Sequence, residues 1–383
     1  MTAFDITLYR PQIGQAEIEA VTQVLRSGWL SSGPVTEDFE GRFAAALGVG
    51  SAVAVSSGTA ALHLAVLGLD LGPGDEVVLP SLNFVSAAAT VALSGATPVF
   101  ADVKGPHDLS IDPEDAARRI TPRTRAIVTM HYGGQPADLT ALARLARTHG
   151  LALIEDCAHA PVTDSAHGML GTVGDIGCFS FFATKNLAMG EGGMVVARDP
   201  AVADRIRRLR SHALTVSAQQ RHHGGSSLYD VDTLGLNYRP TEIGCAIGRV
   251  QLEALPAGQV RRQEAVALYR EQLASLPGIT VPYADRPVEE SAHHLFVVVL
   301  PAGTDRDALQ DRLRAARIQS GVHYPPTHLF SAYQRRSRGG PCRLPVTEDV
   351  MARQLSLPLH PGIGKDEVRQ VVEAVSAAWP ETS

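Results

Sequence analysis

Lys185 stands where an apolar run gives way to a glycine run. The stretch Gly174–Gly193 reads GDIGCFSFFATKNLAMGEGG. Residues Ile176 to Ala183 are mostly apolar, with Ser180 as the main polar interruption. Gly190, Glu191, Gly192 and Gly193 follow. An amine placed there is poorly hydrated. Burial disfavours its charged form, lowers its pKa and leaves a nucleophile. Such a lysine suits imine formation with an aldehyde or ketone. A surface lysine between a strand and a loop is the plainer alternative. Ser180 and the glycines weigh against it, because phosphate handling needs a short hydroxyl and close backbone approach.

A second set of residues could receive an anion. Ala52–Val55 reads as a short apolar strand, Ser56-Ser57-Gly58-Thr59 as a turn, and Ala60–Leu69 as a helix. A strand, a Ser/Gly/Thr turn and a helix start aim free N–H groups and the positive helix end at one point. Ordinary capping by Ser57 or Thr59 is the competing reading. A third set lies at strand ends. Glu76–Leu79 is a buried strand, followed by a helix near Phe84–Ser94, which places Phe84 just past the strand. Ala126–Met130 ends at His131, and Leu151–Ile154 ends at Glu155-Asp156-Cys157-Ala158-His159. Asp156 there serves either as a helix cap or as a functional acid.

The elements that must hold these residues alternate. Val99–Val103 and Gly193–Ala197 add strands, and Leu139–His149 adds a helix. That alternation predicts an α/β fold with a mostly parallel sheet. Ligands of such sheets bind beyond the carboxyl ends of the strands, where Ser57–Thr59, Phe84, His131 and Asp156 all fall. Two helices, Glu17–Ser27 and Thr36–Leu47, precede the first strand, with a Gly/Ser/Pro loop between them. Trp29 in that loop is a packed anchor or a ligand contact. Pro200–Ser211 reads as a basic helix whose Arg205, Arg207, Arg208 and Arg210 form a solvated face. His222 and His223 lie in QQRHHGGSS without a third ligand at metal-binding spacing, so no metal site is expected. Character changes at Leu255-Pro256-Ala257-Gly258, after a helix Thr241–Leu255 and before a helix Val260–Leu276. This predicts a large domain over 1–255 and a smaller α+β domain over 256–383. The latter includes a strand His294–Leu300, helices Asp305–Ala316 and Lys365–Trp379, and His323, Tyr324 and His328 among prolines. These three line a cleft or stiffen a turn.

Composition narrows the class. With 45% apolar and 19% charged residues, the 383-residue chain reads as a globular protein with a large core. A net charge of −6 without a basic block excludes nucleic acid as the main partner. No apolar run approaches the ~20 residues of a membrane helix, and no basic-then-apolar leader opens the sequence. The four cysteines, Cys157, Cys178, Cys245 and Cys342, are widely spaced and suggest no disulfide framework, so a reducing cytoplasm is expected.

Lys185, an acid at a strand end, phosphate-suited hydroxyls and an aromatic at another strand end are together the parts that pyridoxal phosphate needs. Its aldehyde takes a lysine, its ring nitrogen a carboxylate, its phosphate hydroxyls and N–H groups, and its ring an aromatic face. The sequence also resembles the DegT/DnrJ/EryC1/StrS sugar aminotransferases, which are fold type I pyridoxal phosphate enzymes. The blocks that carry the resemblance are Ser27–Pro34, Ser57–Leu64, Glu155–Ala160, Phe179–Val195, Gly235–Leu252, His323–His328 and Ser356–Pro361.

The resemblance implies roles by position. Lys185 would condense with the cofactor aldehyde and later shuttle the proton. Asp156 would pair with the ring nitrogen, with His159 beside it, and Phe84 would stack on the ring. Ser57, Gly58, Thr59 and Ser180 would bind the phosphate, joined by Asn237 of the second subunit of a homodimer with shared active sites. Trp29, His323 and Tyr324 would face substrate. Glutamate or glutamine would give its amine to a keto sugar, most simply a nucleotide-linked 4-keto-6-deoxyhexose. A cyclitol or another cyclic ketone, or a non-catalytic pyridoxal phosphate-binding regulator, is the alternative. After Ala160 the chain reads Pro161-Val162-Thr163-Asp164-Ser165, a departure from the Gly-Ala-x-Tyr pattern of relatives.

Overall fold

A computed structural model describes residues 4–215, 228–335 and 342–377. His222 and His223 lie outside the described residues, as does most of the Gln334–Gly340 loop. The strands, in chain order, are β1 (Val53–Val55), β2 (Glu76–Pro80), β3 (Thr97–Ala101), β4 (Val103–Gly105), β5 (Asp108–Ile111), β6 (Thr124–Met130), β7 (Ala152–Asp156), β8 (Ile176–Ser180), β9 (Gly193–Ala197), β10 (Phe296–Val299) and β11 (Gln354–Leu357).

Seven of them form one sheet in the order β1-β9-β8-β7-β6-β2-β3. The pairs from β8 through β7, β6 and β2 to β3 are parallel. β9 runs antiparallel to both β1 and β8. The mostly parallel sheet expected from the alternation is therefore present. β2 and β8 are buried along their whole length, and β6 and β7 everywhere but near their starts, which is why the central strands read as apolar runs rather than alternating ones. One apolar cluster, including Phe39, Phe43, Phe179 and Phe181, packs one side of the sheet. Another, from Leu64, Val77, Leu79 and Ile206, packs the other.

A second pair, β10 with β11, is antiparallel. It carries a separate core with Tyr269, Leu309, Val371 and Val375. Ile6, from the start of the chain, joins that core. Asp5 N donates to Arg317 O at 2.9 Å, and Leu8 N donates to Gln319 Oε1.

The expected break at Pro256 does not occur. Glu242–Leu273 is one helix of 32 residues, capped by the Thr241 hydroxyl. Pro256 removes one backbone hydrogen bond, yet the helix is anchored on both sides of it. Cys245 and Ala246 are buried near the sheet, and Ala265, Val266 and Tyr269 in the second core. Tertiary packing overrides the breaker. The solvated arginine face is also corrected. Arg207 and Arg210 both reach the buried Glu40, at 2.8 and 2.5 Å, and Arg210 adds a bond to Ala54 O. They tie the helix Pro200–Leu209 to β1. Arg205 pairs with Asp70, and Arg208 with Asp232.

Candidate active site

A cavity of about 450 Å³ opens beyond the carboxyl ends of β7, β6 and β2. Side chains alternate along a strand, and that parity sorts the expected residues. At the end of β7, Asp156 faces the cavity and Glu155 faces away. At the end of β6, Met130 lines the cavity and His131 does not. His131 is fully buried behind it. Its Nδ1 accepts from Ala137 N–H, so its Nε2–H donates to Glu155 at 3.0 Å. Gly171 and Gly174 N–H groups complete that carboxylate. The sequence expectation that His131 shares the ligand crevice is thus corrected. His131 and Glu155, with Cys157 close by, form a group with metal-ligating chemistry, but the imidazole and carboxylate already satisfy one another.

Asp156 is 2% exposed. Its Oδ2 accepts from Asn83 Nδ2 at 3.1 Å and its Oδ1 from Ala158 N–H at 3.1 Å. Burial pushes its pKa up against those bonds. Lys185 lines the same cavity, half-buried. Burial pulls its pKa from the usual lysine range to about 8, and the charge of Asp156 limits the fall. Lys185 therefore has the lowered pKa expected of it from the sequence.

The helix start expected to receive an anion also lies at the cavity. The helix Gly58–Gly68 starts at the cavity, and Ser57 caps it by accepting from Ala60 N–H at 3.1 Å. A Cβ on Gly58 would lie 2.6 Å from Ser180 Cβ, so only glycine lets the helix start meet β8 this closely. Thr59 is exposed beside it. Phe84 precedes its helix, which begins at Ser86, and forms part of the wall at 52% exposure. It meets Tyr324 edge-on at 5.5 Å.

His159 takes one tautomer. Gly133 N–H donates to its Nδ1 at 3.2 Å, so Nε2 carries the proton towards Tyr324 Oη at 2.9 Å. Burial, then the charge of Lys185, holds its pKa well below the usual imidazole value. His323 is held down to about 4 by the same two causes. Its Nε2 meets Tyr9 Oη at 2.6 Å and its Nδ1 meets Ser356 Oγ at 2.9 Å.

Several members of the cavity carried no signal in the sequence reading. Tyr9 comes from the start of the chain. Asn83 orients Asp156. His294 lies 4.2 Å from His159 between ring centres, and its Nδ1 bonds Asn186 Oδ1 at 3.1 Å. A strand-end rule applied to the turn after β2 would have found Asn83; nothing local marks Tyr9 or His294. Two expected residues are not brought here within the one chain. Trp29 packs over Gly33, where an added Cβ would strike its indole, and its Nε1 donates to Ser32 O. Asn237 is exposed and bridges to Ser211. His328 is a structural tie, bonded to Ser81 Oγ at 2.6 Å and to Glu348.

These residues fit pyridoxal 5'-phosphate on their own chemistry. The cavity combines a depressed lysine, a buried carboxylate, a glycine-dependent anion cradle and a buried acceptor, Asn83 Oδ1, with no partner of its own. Residues 11–376 match the model of the DegT/DnrJ/EryC1/StrS aminotransferase family. The chain is 41% identical to the Bacillus subtilis spore coat polysaccharide biosynthesis protein SpsC over 95% of each chain. It is also 41% identical to a dTDP-4-dehydro-2,3,6-trideoxy-D-glucose 4-aminotransferase of Saccharopolyspora spinosa, over 97% of this chain and 96% of that one. Among solved structures, the pyridoxal phosphate form of a sugar aminotransferase, Spr1654 of Streptococcus pneumoniae, superimposes with a TM-score of 0.88. It covers 97% of each chain at 27% identity. The cofactor of the family is pyridoxal 5'-phosphate, and this chain belongs to the DegT/DnrJ/EryC1/StrS aminotransferase family, as a sugar aminotransferase.

Proposed function

We propose that the protein moves an amino group from glutamate or glutamine to the 4-keto carbon of a nucleotide-linked 6-deoxyhexose. The observation that carries this reading is the 41% identity, over nearly the whole chain, to an enzyme named for a dTDP-linked 4-dehydro sugar. It stands beside a cavity that presents Lys185 opposite Asp156. When bound, the cofactor supplies an electron sink that stabilises charge on the carbon being aminated.

The chain's own residues then have distinct tasks. Asp156, oriented by Asn83 and Ala158, holds the proton on the ring nitrogen. Lys185, with its lowered pKa, takes and returns a proton beside the reacting carbon. Gly58, Thr59 and Ser180 hold the phosphate, and Ser57 fixes the helix start that serves it. Phe84 and His159 bracket the ring. His323 and Tyr324 form the wall that the sugar meets. We propose further that the enzyme is a homodimer whose sites are shared, with Asn237 reaching the phosphate site of the second subunit. Its exposure, and its absence from the lining of its own cavity, support that reading. Four unpaired cysteines, three of them buried, suit a reducing compartment such as the cytoplasm. We propose a division of the chain near residue 255, supported by the second core of Tyr269, Phe296, Val371 and Val375, which takes Ile6 alone from before it.

The experiment is a panel of nucleotide-linked keto sugars offered with glutamate or glutamine. Products are read by mass spectrometry for the exchange of a carbonyl oxygen for an amine. Amination of a 4-keto-6-deoxyhexose is expected. Turnover of cyclitol ketones alone would replace this reading.

A further inference from the structure

A second cavity, of about 270 Å³, lies on the other side of Lys185. It is bounded by the N-terminal strap Pro11–Gly14 and by the middle of the helix Glu242–Leu273. Its polar side chains include Glu17, Lys185, Gln251, Arg261 and Arg262. Arg262 is the unusual member. It is 4% exposed, and no described carboxylate pairs with it. Its Nη1 donates to two backbone carbonyls, of His293 at 3.2 Å and of Leu359 at 3.1 Å. Carbonyls hold its position but leave its charge uncompensated, and a buried charge without a counter-ion is costly. Burial draws its pKa down to about 9.

The other groups do not neutralise it. Glu17 is already committed, with Oε2 accepting from Gly14 N–H at 2.8 Å and Oε1 from Gln251 Nε2 at 2.7 Å. His293 and His294 beside it are held neutral by burial. Lys185 and Arg261 add positive charge. The cavity thus presents a buried guanidinium in need of an anion, next to the amine around which amino transfer is organised. We propose that this cavity is a carboxylate subsite, in which Arg262 holds an acid group of the amino donor so that the donor's nitrogen is delivered beside Lys185.

Size favours the donor over the sugar nucleotide. Ligand pockets start at roughly 300 Å³ for drug-sized molecules. A 270 Å³ space suits a five-carbon amino acid and is too small for a nucleoside diphosphate sugar, which the 450 Å³ cavity is left to receive. A planar fork also matches a carboxylate in two-point contact. The inference rests on the transamination reading, and its test is chosen to separate the two.

Glutarate, a five-carbon dicarboxylate without an amine, is the probe. Calorimetry on the wild-type chain stripped of cofactor should show glutarate binding. In the holoenzyme, glutarate should compete with the amino donor and leave the acceptor's KM unchanged. Arg262→Gln should weaken glutarate and raise the donor's KM roughly ten- to a hundredfold, the loss of one charge-assisted pair, again without moving the acceptor's KM. Should Arg262→Gln fail to fold, Ala254→Glu places a competing carboxylate on the same cavity wall and leaves Arg262's bonds intact. It should raise the donor's KM in the same selective way. Absence of glutarate binding to the wild type, or a folded variant with an unchanged donor KM, would overturn the subsite. A shift in the acceptor's KM instead would assign the cavity to the nucleotide's phosphates and overturn it equally. Failure of the transamination reading would show separately, as no consumption of any amino donor by the wild type, while glutarate binding still reports on Arg262.

Discussion

The side-chain amide of Asn83 donates to Asp156 Oδ2 across 3.1 Å, while the carbonyl oxygen of the same amide is buried without a partner. An ionised carboxylate only accepts, so the amide's NH₂ must face it, and the unpaired oxygen is left for whatever enters the cavity. The amide therefore fixes the carboxylate, and with it the direction in which Asp156 meets a ring nitrogen. Asn83→Ala removes that support, and Asp156 keeps the Ala158 N–H. Loss of a hydrogen bond to a buried charge costs about 1.5–3 kcal/mol. We expect kcat to fall about tenfold or more, with a smaller change in cofactor affinity measured by fluorescence titration. A cofactor that no longer binds, with residual turnover near normal, would make Asn83 a binding residue instead.

Lys185 gives a prediction with a definite sign. Its folded pKa of about 8 lies below the ordinary lysine value. The unfolded chain therefore binds more protons between those two values. Stability rises with pH across that window, and the charged amine is a burden below it. Lys185→Met should stabilise the cofactor-free protein most below pH 8. The gain should shrink as pH climbs towards the unfolded lysine value. Thermal melts across that range test this. Capture of the cofactor aldehyde, followed as borohydride-fixed mass on the Lys185 peptide, should rise with pH through about 8. Fixed mass on another lysine would remove Lys185 from its role.

How much of this was legible follows from particular residues. Lys185 and Asp156 were, because a lysine between an apolar run and glycines and an acid ending an apolar strand are local patterns. The parity of β6 was not. A one-residue difference decides whether Met130 or His131 meets the cavity, and boundaries read from composition are no finer than that. The antiparallel direction of β9 was hidden, since a short buried strand reads alike in either direction. The helix through Pro256 survived because packing on both sides outweighs one lost bond. Tyr9, His294 and Arg262 reach Lys185 by tertiary folding alone, from segments far apart in the chain.

Gly58 tests the anion cradle. Its missing Cβ is what lets the helix start sit against Ser180. Gly58→Ala would set two carbons 2.6 Å apart unless the helix or β8 shifts. The N–H groups that face the phosphate would then move away from it. We expect a fold that melts within a few degrees of wild type but binds pyridoxal 5'-phosphate at least about tenfold more weakly, since two or more charge-assisted bonds lengthen together. Adding Ser180→Gly should relieve the contact and recover part of the affinity, short of wild type because the Ser180 hydroxyl is gone. Equilibrium dialysis of the cofactor against both variants decides it. Full affinity in the single variant would mean that the phosphate is held elsewhere.

The shared site rests on Asn237. It is exposed, bridged to Ser211, and absent from the lining of its own chain's cavity, and the proposal is that the phosphate it reaches is another copy's. Asn237→Asp puts a negative charge near a phosphate dianion and should weaken cofactor binding strongly. Lys185→Ala should be inactive. When the two variants are mixed and allowed to exchange subunits, each mixed dimer holds one site with Lys185 from the Asn237→Asp chain and Asn237 from the Lys185→Ala chain. That site is intact, and the other carries both lesions. Activity should return towards about half that of a wild-type dimer, because one of two symmetric sites works. Native mass spectrometry establishes whether exchange has taken place. Exchanged dimers without recovered activity would place Asn237 in the service of its own chain, reached from the loop whose Tyr238 carbonyl already accepts from Ser56 N–H at 2.8 Å, beside the Ser57–Thr59 turn.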